Sequence, residues 1–225
     1  MTLRPHANRV TRRTALSFGI GFSAFVSLGP GARAHSGKAD GIVRTIADYD
    51  IPTVTLTDAA GKPVRLDLLL AEPKPAIVEF FFTSCTTICG LQASAVSNAQ
   101  AALAAVGDCT IVSISIDPEF DTPARLSDYA KSFDARPNWL LLTGRQTDVV
   151  RVLTAFNARN ASDNKMLHQP YTFIRTAPGL QWLRLQGLFE SDELVTEFKE
   201  ALAHPTPPAG TAGGAPRAVW RRLTN

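Results

Sequence analysis

Two cysteines four residues apart, Cys85 and Cys89, are the residues of this chain best placed to do chemistry. They follow the apolar run 76–82, so the first is predicted at the carboxyl end of a buried strand and the second in the first turn of the next helix. Strand ends of this kind carry ligand sites in α/β sheets, and the amino-terminal N–H groups of a helix favour a thiolate. The pair could be redox partners, metal ligands, or two thiols that fill space beside the strand.

The spacing of the two cysteines is compatible with both chemistries. Residues four apart on a regular helix have Cβ atoms about 5–6 Å apart, whereas a disulfide needs roughly 3.5–4.5 Å. A direct bond therefore requires Cys85 to lie before the helix, whereas a metal with sulfur bonds of about 2.3 Å on each side spans the wider gap. The spacing slightly favours a metal. The third cysteine, Cys109, is expected to be a buried core thiol at the start of a strand.

His168 is a third candidate ligand, in a predicted loop just before a strand. His6 and His204 lie near the chain ends, so His168 is the histidine in the middle of the chain. Two thiolates and one imidazole suit copper, because soft sulfur selects Cu(I) and nitrogen accommodates either oxidation state. A structural zinc site would normally need a fourth protein ligand, which the sequence does not offer.

The elements that must position these residues alternate between strand and helix. Their order predicts an α/β fold, a three-layer sandwich around a mixed central sheet. We expect strands at 53–58, 64–70, 76–82, 110–116, 139–143, 171–175 and 180–186, and helices at 90–107, 124–133, 147–156 and 191–202.

Residues 1–34 are typical of a cleaved bacterial export signal. They combine an arginine-rich head, an apolar stretch at 15–28 and a small-residue cleavage site that ends at Ala34. The pair Arg12-Arg13 resembles a twin-arginine signal, which exports folded proteins. The apolar stretch is shorter than the ~20 residues that a membrane-spanning helix needs. We therefore expect a periplasmic protein without a membrane anchor.

The carboxyl-terminal residues 205–225 are rich in Pro, Gly and Ala and are expected to form a disordered tail. The folded domain is accordingly predicted at 35–204. Of the 23 Lys and Arg residues, eight arginines lie in the two ends, so the domain carries 15 basic against 20 acidic side chains. A mildly acidic domain does not indicate nucleic-acid binding.

Three segments of the chain resemble the Sco (SenC/PrrC) family, whose members have a thioredoxin-like fold. The segment FFFTSCTTIC (80–89) resembles the family's Cys-x-x-x-Cys loop, and SISIDPEFDTPARLSDYA (113–130) resembles its segment with Asp-Pro and Asp-Thr-Pro. The segment WLLLTG (139–144) is similar to the strand that follows. The resemblance covers about residues 45–202, and His168 falls where the family carries its histidine ligand.

The resemblance implies that Cys85, Cys89 and His168 bind copper, as Cu(I) or Cu(II). It places Asp117 and Asp121 in an acidic loop near the metal, although turn formation and helix capping account for these two residues equally well. The function it implies is that of a periplasmic metallochaperone that assists assembly of the copper A centre of cytochrome c oxidase. The implied partner is the copper A subunit of the oxidase or another copper or thiol protein.

A thiol-disulfide oxidoreductase of the same fold is the alternative function. Cys85 would attack a disulfide of the oxidase subunit or of another exported partner, and Cys89 would resolve the mixed disulfide by forming a disulfide bond with Cys85. This function does not need His168, whereas copper binding does. A cis peptide bond before Pro170, such as thioredoxins have beside their redox cysteines, would favour disulfide exchange.

Overall fold

The structure is a computed structural model and describes residues 41–162 and 164–207. The export signal predicted at 1–34 and most of the tail predicted at 205–225 lie outside the described residues, so the predicted domain limits stay predictions. Within the described ranges, no helix combines the length and the apolar character that crossing a membrane requires.

Eight strands in the described residues form one mixed sheet, in the order β1-β8-β7-β4-β5-β6-β2-β3. The pairs β4–β5 and β5–β6 are parallel, and the other pairs are antiparallel. The strands are β1 (Val43–Ala47), β2 (Thr55–Asp58), β3 (Pro63–Arg65), β4 (Ala76–Phe81), β5 (Thr110–Ser115), β6 (Trp139–Thr143), β7 (Tyr171–Arg175) and β8 (Trp182–Gln186). The α-helices are α1 (Leu66–Leu70), α2 (Ile88–Val106), α3 (Pro123–Ser132), α4 (Gln146–Ala155) and α5 (Ser191–Ala203), and a short 3-10 helix spans Lys165–Leu167.

Helices cover both faces of the sheet, which confirms the predicted three-layer α/β sandwich. Every residue of β4 and β5 is buried, because successive side chains of a central strand enter opposite cores. Ile77 and Phe81 pack into the core that includes α2, α3 and α5. Val78 and Phe80 pack into the core that includes α1 and α4. The continuous apolar runs in the sequence reflect this burial on both faces.

The amino-terminal part of the fold differs from the sequence prediction in two places. The run 64–70, predicted as one strand, leaves the strand at Arg65 and forms α1. Leu66 and Leu70 are four residues apart and both buried, so one helical face can bury them together. β1 was not predicted at all, and it pairs with β8 at the edge of the sheet.

The sheet brings three loops of the chain to one edge. The carboxyl ends of β4 and β5 lie side by side because these strands are parallel. β7 runs antiparallel to β4, with Glu79 opposite Thr172, so the beginning of β7 lies at the same edge. The loop after β4, the turn after β5 and the segment before β7 are therefore neighbours, and they carry the predicted site residues.

Candidate metal centre

The two cysteines meet at the start of α2. Cys85 lies before the helix, which begins at Ile88, and Cys89 lies in its first turn. The backbone N–H of Cys89 donates to Sγ of Cys85, with a distance of 3.4 Å between N and S. Cys85 is partly exposed whereas Cys89 is buried. Cys85 is thus the thiol that a partner can reach.

The two thiols differ in acidity because their surroundings differ. Burial disfavours the Cys85 thiolate, but hydrogen bonds from the Cys89 side chain and from the backbone N–H groups of Cys89 and Thr87 outweigh it, so the pKa of Cys85 is lowered. Burial raises the pKa of Cys89 far above its ordinary value, and the hydrogen bond to Cys85 raises it further. Cys85 is therefore the better nucleophile and the thiol that ionises first.

His168 lies buried beside the strand that leads into the cysteine loop. Its Nε2 is 2.9 Å from the backbone oxygen of Phe80. A carbonyl oxygen only accepts hydrogen bonds, so Nε2 carries the proton and the neutral ring has its lone pair on Nδ1. Burial lowers the pKa of His168, which favours the neutral ring. An imidazole that donates one N–H to a backbone carbonyl and offers its other nitrogen is the usual state of a metal-binding histidine.

The predicted ligands have the right chemistry for copper but are not assembled into a closed site. Two thiols and one neutral imidazole are donors that suit copper in both oxidation states. In the part of the chain that the structure describes, no three histidine, cysteine or acidic side chains form a group that could hold a metal ion. Cys85 and Cys89 are together, and His168 is held at Phe80, five residues before Cys85. Binding a shared ion therefore requires the histidine segment and the cysteine loop to approach each other.

Asp121 holds the beginning of the cysteine loop in place. Its buried carboxylate accepts hydrogen bonds from the N–H of Thr83 at 3.0 Å, from the Thr83 hydroxyl, and from the Ser115 hydroxyl at 2.5 Å. Thr83 lies two residues before Cys85. Asp121 thus acts on the cysteines through the backbone that carries them.

Asp117 contacts the histidine segment in a similar way. Its carboxylate forms an ion pair with Lys165, which lies three residues before His168. Its backbone N–H donates to the hydroxyl of Ser115 at 3.1 Å. The structure therefore places both predicted acidic residues next to the loops that carry the predicted ligands.

Two further residues resolve points raised by the sequence. The peptide bond before Pro170 is trans, since the described residues contain no cis peptide bond, so a cis proline does not add support for disulfide exchange. Cys109 is buried in the core at the beginning of β5, and burial raises its pKa to about 11. It is a core thiol, as the sequence predicted.

Sequence reasoning missed Glu79, a carboxylate in the middle of β4. The side chain is 2% exposed and lies on the face of β4 that packs against α2. The hydroxyl of Ser113 donates to Oε1 at 2.5 Å, while Oε2 has no hydrogen-bond partner among the described residues. Burial raises the pKa of Glu79 to about 7. The sequence does indicate this residue, because a glutamate interrupts an otherwise apolar strand.

The fold and the site define a class of protein, a thioredoxin-like α/β domain with a Cys-x-x-x-Cys loop after a central strand and a buried histidine nearby. The family model described as SCO1/SenC matches residues 49–202. The chain belongs to the SCO1/SenC family, which confirms the resemblance of its motifs.

Similar proteins agree with this assignment. Protein SenC of Rhodobacter capsulatus is 30% identical over 211 residues, which cover 85% of this chain and 90% of that protein. The SCO1 protein homolog of Bacillus subtilis is 28% identical over 166 residues, which cover 68% of this chain and 83% of that protein.

Solved structures confirm the thioredoxin-like fold. BsSco, described with a disulfide switch and as a member of the Sco family of cytochrome c oxidase assembly proteins, is 26% identical with a TM-score of 0.58 and covers 72% of this chain and 98% of its own. ScoI of Arabidopsis thaliana with copper bound is 23% identical with a TM-score of 0.57, and it covers 66% of this chain and 95% of its own.

Proposed function

We propose that this chain is an exported copper-binding protein of the periplasm that assists assembly of the copper A centre of cytochrome c oxidase. Its family supports the proposal, because BsSco is described as a member of a family of cytochrome c oxidase assembly proteins and ScoI of Arabidopsis thaliana has been solved with copper bound. The observation that carries the proposal is the state of His168: its Nε2–H is bonded to the oxygen of Phe80, five residues before Cys85, so Nδ1 has its lone pair available as a ligand. The predicted signal at 1–34 supports export.

The two thiols would bind and release copper in sequence. Cys85 is partly exposed and more acidic, so it ionises and binds first. Cys89 is buried and holds its proton tightly, so its ligation releases that proton and completes capture together with Nδ1 of His168. During delivery, thiolates of the partner replace Cys85 and then Cys89, so copper passes between proteins without being released into solution.

The partner that fits this chemistry is the copper A subunit of the oxidase or another copper or thiol protein. Exchange requires the partner's thiolate to reach Cys85, which the structure leaves partly exposed. The 20 acidic and 15 basic side chains of residues 35–204 do not favour nucleic acid as a partner.

Thiol-disulfide exchange is the second candidate function, because the two cysteines differ in the way that such a reaction needs. The Cys85 thiolate would attack a partner disulfide and form a mixed disulfide, and one partner sulfur would leave as a thiolate. Cys89, after losing its proton to the medium, would then attack Cys85. The products are a Cys85–Cys89 disulfide and a partner with two thiols, so two electrons pass to the partner.

Copper stoichiometry tests the first function against the second. Residues 35–225 would be reduced, loaded with Cu(I), desalted and analysed for metal, together with the variants His168→Ala and Cys85→Ser. The matched control is Cys109→Ala, which removes a thiol that lies in the core. We expect one copper per chain in the wild type and in the control, and loss or much weaker binding in the other two variants. Absence of copper from the wild type, or equal binding by His168→Ala, would contradict copper delivery and favour disulfide exchange.

A further inference from the structure

The segment 156–170, which connects α4 to β7 and carries the proposed histidine ligand, has little apolar packing around its 3-10 helix. Met166 is 58% exposed and Leu167 is 54% exposed. Two asparagines make hydrogen bonds inside the segment: Oδ1 of Asn164 accepts from the N–H of Met166 at 3.0 Å, and Nδ2 of Asn160 donates to the oxygen of Leu167 at 2.5 Å. These bonds shape the segment but do not fasten it to the sheet.

Lys165 fastens the 3-10 helix of this segment to the rest of the domain. Its Nζ forms the ion pair with Asp117, and the two side chains are 40% and 16% exposed. The same ammonium group lies 5.4 Å from the ring centre of Phe82 and 5.8 Å from that of Phe120, within the range of a cation–π interaction. Phe82 leads from β4 into the cysteine loop. Lys165 therefore contacts both the turn after β5 and the end of β4.

Asp117 is itself held firmly, so it is a suitable anchor. Its N–H donates to Ser115, and its carbonyl oxygen accepts from the N–H of Phe120 at 3.0 Å and from the N–H of Asp121 at 2.8 Å. Asp121 in turn holds Thr83 before the cysteines. One turn after β5 thus fastens the cysteine loop through Asp121 and the histidine segment through Asp117.

We propose that Lys165 is a positioning residue for copper binding: its ion pair with Asp117 sets how far His168 lies from the cysteine pair. The inference rests on the proposed function, since it matters only if His168 is a ligand. Three residues of 3-10 helix span about 6 Å, so the position of Lys165 strongly restricts that of His168. Without the ion pair, the hydrogen bond to Phe80 and the burial of the ring still hold the imidazole, but the 3-10 helix before it loses its ion pair to the turn after β5.

The test compares copper binding by the full-length wild type with that by Lys165→Met and Asp117→Asn. Both substitutions abolish the ion pair, and methionine keeps much of the apolar stem of the lysine. We expect copper affinity, measured by competition with a chelator, to fall about tenfold or more, in the range observed when groups that orient metal ligands are removed. We also expect the imidazole nitrogen coupling to weaken in the electron paramagnetic resonance spectrum of the Cu(II) form. Lys165→Arg retains the positive charge and should restore both properties.

Lys131→Met is the matched control, because it also removes a lysine from an ion pair. Lys131 Nζ lies 3.2 Å from Asp128 Oδ1, and both side chains are largely exposed on α3. It should leave affinity and spectrum unchanged. The exchanged pair Asp117→Lys with Lys165→Asp restores the attraction and should recover part of the affinity. It also separates loss of the ion pair from a general folding defect.

His168→Ala separates failure of this inference from failure of the proposed function. If His168→Ala loses affinity and nitrogen coupling while Lys165→Met and Asp117→Asn behave like the wild type, the positioning function of Lys165 is refuted and the proposed ligands stand. If His168→Ala binds copper as the wild type does, the proposed ligand set is wrong, and the inference about Lys165 is wrong with it.

Discussion

Replacing Glu79 by glutamine should change how the stability of this protein depends on pH. Glu79 lies in the core with Oε1 bonded to Ser113 and with Oε2 unpartnered among the described residues. Burial raises its pKa from 4.5 to about 7, so the folded protein holds this proton more tightly than the unfolded chain. Glutamine keeps the acceptor for Ser113 and has no charge at any pH.

The sign and size of the effect follow from proton linkage. Below pH 4.5 the carboxyl is protonated in both states and burial of its charge costs nothing. As pH rises towards and beyond 7, the unfolded chain ionises more readily, so the free energy of unfolding of the wild type falls. At about 1.4 kcal/mol per pKa unit, the loss reaches about 3 kcal/mol. The glutamine amide adds a buried donor that costs about 1–3 kcal/mol where it lacks a partner, at every pH.

Urea unfolding of the reduced, metal-free wild type and Glu79→Gln at pH 5 and pH 8 tests this prediction. His168 contributes with the opposite sign, because its lowered pKa means that stability is lost as pH falls, but it is present in both proteins and cancels in their difference. We expect the variant to gain about 2–3 kcal/mol relative to the wild type between pH 5 and pH 8. Glu119→Gln, at an exposed position, should show no such change. An equal difference between wild type and Glu79→Gln at both pH values would refute the reasoning.

Two further predictions concern the loops of the site. Asp121→Ala should lower the free energy of unfolding by about 3–5 kcal/mol, since it leaves buried donors unpaired, whereas Asp117→Ala should cost about 1 kcal/mol or less because its ion pair is partly exposed. Denaturant unfolding midpoints, compared at a constant dependence of the free energy on denaturant, measure the loss of stability in both variants. Equal losses in Asp121→Ala and Asp117→Ala would contradict this prediction. Iodoacetamide should alkylate Cys85 much faster than Cys89 or Cys109, because Cys85 is the partly exposed thiol with the lowered pKa. Mass spectrometry of timed samples identifies the modified residue, and first modification of either buried cysteine would show that the assigned order of reactivity is wrong.

The central strands could be predicted from the sequence because most of their side chains enter one of two apolar cores. β4 and β5 are buried along their whole length, which selects continuous apolar runs of strand length. β1 escaped prediction because it is an edge strand with Val43 58% exposed, so it shows no comparable pattern. The helix Leu66–Leu70 differs from the predicted strand because a short apolar run fits either element.

One part of the candidate site could likewise be predicted from neighbouring residues in the sequence, whereas another part depends on contacts between distant segments. The spacing of Cys85 and Cys89 is local, and it predicted two thiols at the start of a helix. The pairing of Lys165 with Asp117 joins residues far apart in sequence, and it depends on the path of two loops that carry no periodic pattern. A lysine next to polar residues gives no sign of its partner until the sheet has set the positions of both loops.

The antiparallel pairing of β4 with β7 has a consequence for when the site can exist. Glu79 pairs with Thr172, so the strand before the cysteines is joined to a strand that the ribosome makes much later. Contacts between distant parts of a chain form late in folding, because a long loop must close before they are gained. A nascent chain that ends before residue 168, in the segment that leads into β7, has both cysteines but lacks the histidine. The three proposed ligands can therefore come together only after β7 has paired with β4, so the proposed binding of copper through all three depends on that long-range pairing.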